Sequence, residues 1–195
     1  MKKIFLPIAI LLLCSLIIVA RTISKLDPVA AKLFQNIKST TTDDEKNFIT
    51  KKLGFILSGN KDMPFAQDKD SKDYPFTVTV MPTDLNNDKK EEIFILYGNS
   101  YTSGNTESSI ALFIKNAAGV YEMNLGFPGM IPDILTTTNK SYPDLIVGGP
   151  GFEFPILRWN GKTYANYKTI KDSEYEKIKK TGADVVSKEY QKNLK

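Results

Sequence analysis

The sequence predicts an α+β protein: an antiparallel β-sheet or small sandwich of about 7–9 short strands, with two N-terminal helices and a C-terminal helix. Three observations carry this. Between Phe76 and Tyr167, short apolar or alternating runs rich in Val, Ile, Phe and Tyr are separated by Gly, Pro, Asn and Asp turns. On both sides of that region, apolar residues recur at helical rather than strand spacing. Apolar content of 42% and charged content of 25% are ordinary for a globular chain, so the strands have enough apolar surface to form a core. The expected segments are 1–20, a signal peptide or membrane anchor; 21–60, helical; 61–74, a polar loop; 75–170, the β-rich domain; and 171–195, a C-terminal helix and charged tail.

Residues 1–20 have the organisation of an export signal: Lys2-Lys3, then an apolar stretch from Ile4 to Ala20 broken only by Pro7 and Ser15. Ile18 and Ala20 suit the two specificity positions of a signal peptidase cutting before Arg21. An uncleaved anchor formed by residues 4–20 is the alternative, at the short end of the ~17–25 residues that span a bilayer. A lipoprotein acylated on Cys14 is a third reading. Against it, Leu11-Leu12-Leu13 precede that cysteine where a small residue is wanted. The expected location is therefore periplasmic or secreted, or else membrane-anchored by 4–20. Cys14 is the only cysteine, so the exported part has no disulfide and rests on its core alone.

Asp27-Pro28 has the form of a helix start, with Asp as N-cap and Pro at the first helical position. Val29, Leu33 and Ile37, with Ala30 and Phe34, continue the pattern. Thr42 followed by Glu45 is a capping-box signature for a second helix through Phe48, Ile49, Leu53 and Ile56, ended by Ser58-Gly59-Asn60. Lys61 to Tyr74 reads as a solvated loop. Phe76, Val78 and Val80 alternate with Thr77 and Thr79, a half-buried strand, and Ile93–Tyr97, Ile110–Ile114 and Val120–Met123 are further strands. Leu125 to Ile131 reads as irregular, because it holds Gly126, Pro128 and Gly129. Ile134-Leu135 and Asp144–Val147 follow, then a hairpin from Pro155 to Tyr167 around Asn160-Gly161, the favoured two-residue turn. From Lys171 the spacing turns helical through Tyr175 and Ile178; Gly182 interrupts it, and Lys188–Lys195 is expected to fray. A weak internal repeat sets Glu92-Ile93-Phe94-Ile95 beside Asp144-Leu145-Ile146-Val147, each behind a polar turn and ahead of a hairpin that carries a Tyr, Tyr121 or Tyr164. Two such units are too few for a propeller, which needs at least ~4 blades.

The densest cluster of oxygen-bearing side chains is Asp84-x-Asn86-x-Asp88-x-x-x-Glu92, a tight loop feeding the strand that ends at Gly98. Alternate residues in such a loop can all point inward, and calcium wants six to eight oxygens, so these four side chains with the Lys90 carbonyl are the candidate calcium ligands. The competing reading is a polar turn in which Asp and Asn cap their own backbone.

This loop resembles the calcium loops of FG-GAP and integrin-type propeller blades, roughly Asp-x-Asn-x-Asp-Gly-x-x-Asp before a strand. The chain is also similar to a group of small exported bacterial proteins of unknown function. In that group such a loop is followed by a Ser-Tyr loop, a Pro-Asp-Leu-Ile-Val-like strand and an Arg-Phe/Trp-Asn-Gly-Lys-x-Tyr hairpin. The matching stretches are Asp84–Tyr101, Tyr142–Gly148 and Arg158–Tyr164, spread over residues 84–164, somewhat under half the chain. Lys89 departs from the pattern by standing where the loop wants Gly, and Lys90 adds a second cation. Many members of the group carry cysteines around the Ser-Tyr loop, where this chain has Ser103 and Ser108.

The chain has no histidine, which removes the Ser-His-Asp triad and His-ligated metals. A net charge of +4, two units of it from Lys2 and Lys3, gives no basis for nucleic-acid binding. Contact with a membrane is expected only through the N-terminal segment. Gly148-Gly149-Pro150-Gly151 follows a strand but lacks dinucleotide-binding spacing. The expected function is an exported, non-enzymatic binding or interaction protein of the periplasm or cell envelope, with a protein or glycan partner and calcium as a stabilising ion. A carboxylate-dependent glycan-active enzyme is the alternative, with Asp133, Asp144, Glu153 and the loop acids as its candidates. An inhibitor of a foreign hydrolase such as lysozyme is a third, resting on size and location. Tyr97, Tyr101, Phe127, Phe152, Phe154, Trp159 and Tyr164 are the aromatics expected in or near the loops and hairpin, as a ligand face or as core.

Overall fold

The computed structural model describes residues 25–149 and 153–194. The expected signal peptide or membrane anchor, residues 1–20, lies outside the described residues, as do residues 21–24, Pro150, Gly151, Phe152 and Lys195. The elements in chain order are α1 (Pro28–Leu33), α2 (Asp43–Leu53), β1 (Ile56–Leu57), β2 (Phe65–Ala66), β3 (Val78–Thr83), β4 (Glu92–Tyr97), α3 (Ser100–Ser103), β5 (Ser109–Lys115), β6 (Tyr121–Pro128), β7 (Asp133–Asn139), β8 (Tyr142–Ile146), β9 (Glu153–Trp159), β10 (Tyr164–Lys171), α4 (Asp172–Tyr175), β11 (Lys180–Gly182) and α5 (Ala183–Asn193).

The class is α+β, with helices at both ends and strands between them. The main body is two antiparallel meanders, β3-β4-β5-β6 and β10-β9-β8-β7, the second extended by β11 on β7; β1 and β2 form a separate pair. The weak repeat seen in sequence is this duplication: β4 and β8 are the second strands of equivalent four-stranded units. Period-two patterning stacks these units into layers. Met81, Phe94, Ile110, Leu112 and Leu125 of the first sheet pack against Tyr142, Leu145, Leu157, Trp159 and Tyr164 of the second. On the other face of the first sheet, Ile93, Ile95, Ala111 and Phe113 pack under Leu33 and Phe34, at the end of α1, and Ile49 and Leu53 of α2. Beyond the second sheet, Leu135, Ile146, Ile156 and Ile170 pack with Tyr175 and Ile178. β4 and β5 are thus buried on both faces, which is why they read as continuous apolar runs.

The caps form as the sequence predicts. The Asp27 side chain accepts from the amides of Val29 and Ala30, and Thr42 and Glu45 make the reciprocal capping box. Four expectations change. The second helix stops at Leu53, because Gly54 adopts the left-handed conformation that closes a helix, and Ile56-Leu57 becomes β1. The polar stretch 61–74 contains β2, whose Phe65 is buried and bridges Phe76. The charged C-terminus is α5, with Ala183 and Ser187 buried and the helix packed against β3, the outer strand of its sheet. Leu125–Pro128, expected to be irregular, continues β6 through a bulge.

Candidate functional site

In each meander the first and third connections fall at the same end. The acidic loop between β3 and β4 therefore meets the turns β5–β6 and β9–β10 at one end of the molecule. A cleft of about 430 Å³ opens there between the two sheets. Its walls include Asn86 and Asp88 of the loop, Lys115, Glu122 and Asn124 around the β5–β6 turn, and Tyr142, Trp159 and Lys162 of the second sheet.

The acidic loop is held by its own side chains. Asp84 accepts from the Asp88 amide through Oδ1 (3.0 Å) and from the Lys89 amide through Oδ2 (3.1 Å). Asn86 Oδ1 also accepts from the Asp88 amide (3.1 Å), and Asp88 Oδ1 accepts from the Lys90 amide (2.8 Å). Asn87 and Lys89 have left-handed backbones, with φ of 58° and 67°. Lys89 thus adopts the conformation for which such loops use glycine, and the loop closes although glycine is missing.

Glu92 is turned inward. It is 1% exposed and lies on the sheet face that carries Phe94, looking into the gap between the sheets. Its Oε2 accepts from the Leu85 amide (2.7 Å), and its Oε1 accepts from the Tyr142 hydroxyl (2.9 Å). Burial pushes its pKa up to about 7; the two hydrogen bonds oppose this, and the nearby Asp88 and Asp84 carboxylates add to it. Burial, and then the Glu92 charge and this bond to it, also push the Tyr142 hydroxyl up. Glu92 is therefore a latch from the loop, through β4, to β8 of the other sheet.

A second latch comes from the bulge in β6. Asn124 is the extra residue there, and a bulge re-aims its side chain. Its Oδ1 accepts from the Tyr164 amide (2.9 Å) and the Thr163 hydroxyl (3.2 Å), and its Nδ2 donates to the Lys162 carbonyl (3.3 Å). This holds the β9–β10 turn against the first sheet.

The sequence-predicted candidates separate into groups. Asp84, Asn86, Asp88 and Lys90 share the loop, with Lys90 Nζ 4.0 Å from Asp88 Oδ2, while the Glu92 carboxylate is bound to Leu85 and Tyr142. Among the described residues no group of three or more His, Cys, Asp or Glu side chains is arranged to hold a metal ion. A cation would draw first on Asp84, Asn86, Asp88 and the Lys90 carbonyl, and Glu92 would join only by leaving Tyr142. Asp144 is equally buried but belongs to the second sheet, where Arg158 grips it bidentately (2.8 and 2.6 Å) and the Thr137 hydroxyl donates to it (2.6 Å). Burial would raise the Asp144 carboxyl, but the Arg158 and Thr137 bonds together outweigh it and hold it below its usual range. Asp133 accepts from the Tyr175 hydroxyl (2.6 Å), and Glu153 is exposed at the start of β9.

Of the aromatics, Tyr97 and Phe127 pack on the cores. Phe154 stacks on Tyr175, and Tyr101 stacks on Tyr74 at the surface, at the opposite end of β3 and β4 from the loop. Trp159 and Tyr164 pack with Tyr142, and only Trp159 of these aromatic candidates lines the cleft. Sequence reasoning did not single out Lys115, Glu122, Asn124 or Lys162. The usable signal was the repeat itself, since equal meanders put their turns at matching ends. Comparison with known protein-family models, curated proteins and solved structures finds no match for the chain.

Proposed function

We propose that the chain is an exported, non-enzymatic binding protein of the periplasm or cell envelope, and that it holds its ligand in the cleft between the two sheets. One observation carries this: a concave polar site, built from three turns and braced by Glu92–Tyr142 and Asn124, where fixed side chains surround a volume of small-molecule size. Binding is favoured over carboxylate catalysis because Glu92, the acid whose pKa is raised near the cleft, is walled in with both oxygens bound, and so cannot meet a substrate. The export half of the reading rests on residues 1–20. Co-sedimentation with insoluble envelope material tests the cleft. The wild type should pellet, and the Asp88→Ala/Lys162→Ala variant should stay in the supernatant. Equal pelleting of both would contradict the reading.

Calcium is the second part of the proposal. The loop offers Asp84, Asn86, Asp88 and a carbonyl, short of a full shell of six to eight oxygens, so any site is weak and completed by water. Binding to the folded state alone should raise the melting temperature at millimolar calcium, and Asp84→Ala should remove the rise. No rise would remove calcium and leave the cleft.

A further inference from the structure

We infer that the ligand of this cleft is a carbohydrate, one or two sugar rings of an envelope glycan held by their hydroxyls; this rests on the cleft being the binding site. The carrying observation is Trp159, the chain's only tryptophan. It is 8% exposed, lines the cleft, and packs against Tyr142 (4.6 Å between ring centres) and Tyr164 (5.4 Å). Its ring is thus occupied by core partners, yet its indole N–H has no acceptor among the described residues, where buried indoles normally find one. The N–H is not sealed in the core either, since the one buried side-chain polar atom without a partner among the described residues is Thr50 Oγ1. A ligand acceptor in the cleft satisfies it.

The other free groups around Trp159 are of both kinds. Lys162 Nζ has no partner among the described residues, and Asn86 spends its oxygen on the Asp88 amide, leaving its Nδ2 donors. Glu122 accepts from Asn116 Nδ2 through Oε1 alone, so Oε2 remains to accept, and Asp88 Oδ1 is taken by the Lys90 amide while Oδ2 has only Lys90 Nζ at 4.0 Å. Both donors and acceptors are therefore left free around a small space. A ligand must supply both at close intervals, as adjacent sugar hydroxyls do, each donating once and accepting twice. The charges of the lining balance, Asp88 and Glu122 against Lys115 and Lys162, so they favour a neutral polar ligand over an anionic one. A peptide binding by its main chain would need an open strand edge. The cleft is walled by turns and strand ends instead, and the cleft-side bulge residue of outer strand β6, Asn124, is spent on Tyr164, Thr163 and Lys162. A volume of about 430 Å³ takes a short glycan segment rather than a folded partner.

The test is isothermal titration of the purified protein with N,N′-diacetylchitobiose, cellobiose and maltose, and in parallel with unstructured polar pentapeptides. At least one disaccharide should bind saturably. Trp159→Phe, which keeps an aromatic ring and removes the N–H, and Lys162→Ala, on an exposed turn, should each weaken that binding about tenfold, the worth of one hydrogen bond of roughly 1.4 kcal/mol. Lys162→Ala keeps the test decisive if Trp159→Phe fails to fold. No disaccharide binding, or peptide binding alone that Lys162→Ala weakens, overturns the carbohydrate assignment, and the latter leaves the cleft as the site. Disaccharide binding that neither variant affects overturns the cleft itself.

Discussion

Glu92 is the residue on which the site turns. Burial makes this carboxyl neutral more readily than one in solvent, outweighing its two donors, which favour the charged form, so folding takes up a proton near neutral pH. The folded pKa of about 7 lies above the ordinary 4.5. The folded state therefore binds more protons than the unfolded state between those values. The stability this group contributes is full below about pH 4.5 and is lost as pH rises through about 7. Glu92→Gln mimics the protonated acid, since its amide can accept from Leu85 and donate to the Tyr142 oxygen. Urea unfolding at pH 5 and pH 8 should find the variant gaining on the wild type by roughly 3 kcal/mol at the higher pH. Equal pH slopes for the two proteins would contradict the buried latch.

Two backbone positions test the local logic at the scale of elements. Gly54 closes α2 at φ 75°, and a Cβ there would meet nothing within 4 Å, so Gly54→Ala carries a conformational cost alone. It should destabilise by about 1 kcal/mol. Lys89 has a similar φ of 67° but bears a side chain, so Lys89→Gly should be neutral to stabilising by up to about 1 kcal/mol, the gain reduced by glycine's greater freedom when unfolded. Thermal melts of both variants check the opposite signs; the same sign at both positions would contradict the reading of these turns.

The caps were legible because their determinants are local: Asp27-Pro28, and Thr42 with Glu45, specify a helix start whatever surrounds them. The strands were legible from their periodicity. Phe65 and α5 were not, because each is decided by a distant partner, Phe76 for the one and β3 for the other. Lys188–Lys195 looks like a fraying tail until the packing of α5 is known. The acidic loop was readable as a loop. The inward turn of Glu92 was not, because Tyr142, the hydroxyl that holds it, lies 50 residues further along the chain.

At the scale of the whole molecule, two copies of one four-stranded meander face each other across a shared core, and their turns meet at one end. Function is assigned to that end because the packing there is incomplete: the sheets are latched by Glu92–Tyr142 and Asn124, but the space outside the latches is lined by unspent donors and acceptors. The cell-envelope location is a proposal that rests on residues 1–20, and fractionation that finds the full-length chain in the cytoplasm would contradict it. The most direct measurement of the central claim is an amide-shift map of the ¹⁵N-labelled protein titrated with soluble cell-envelope extract. We expect the shifts to cluster at residues 86–88, 116–124 and 159–163, with the Trp159 indole N–H among the largest. Shifts that gather instead around Tyr74 and Tyr101, leaving the indole unmoved, would contradict it.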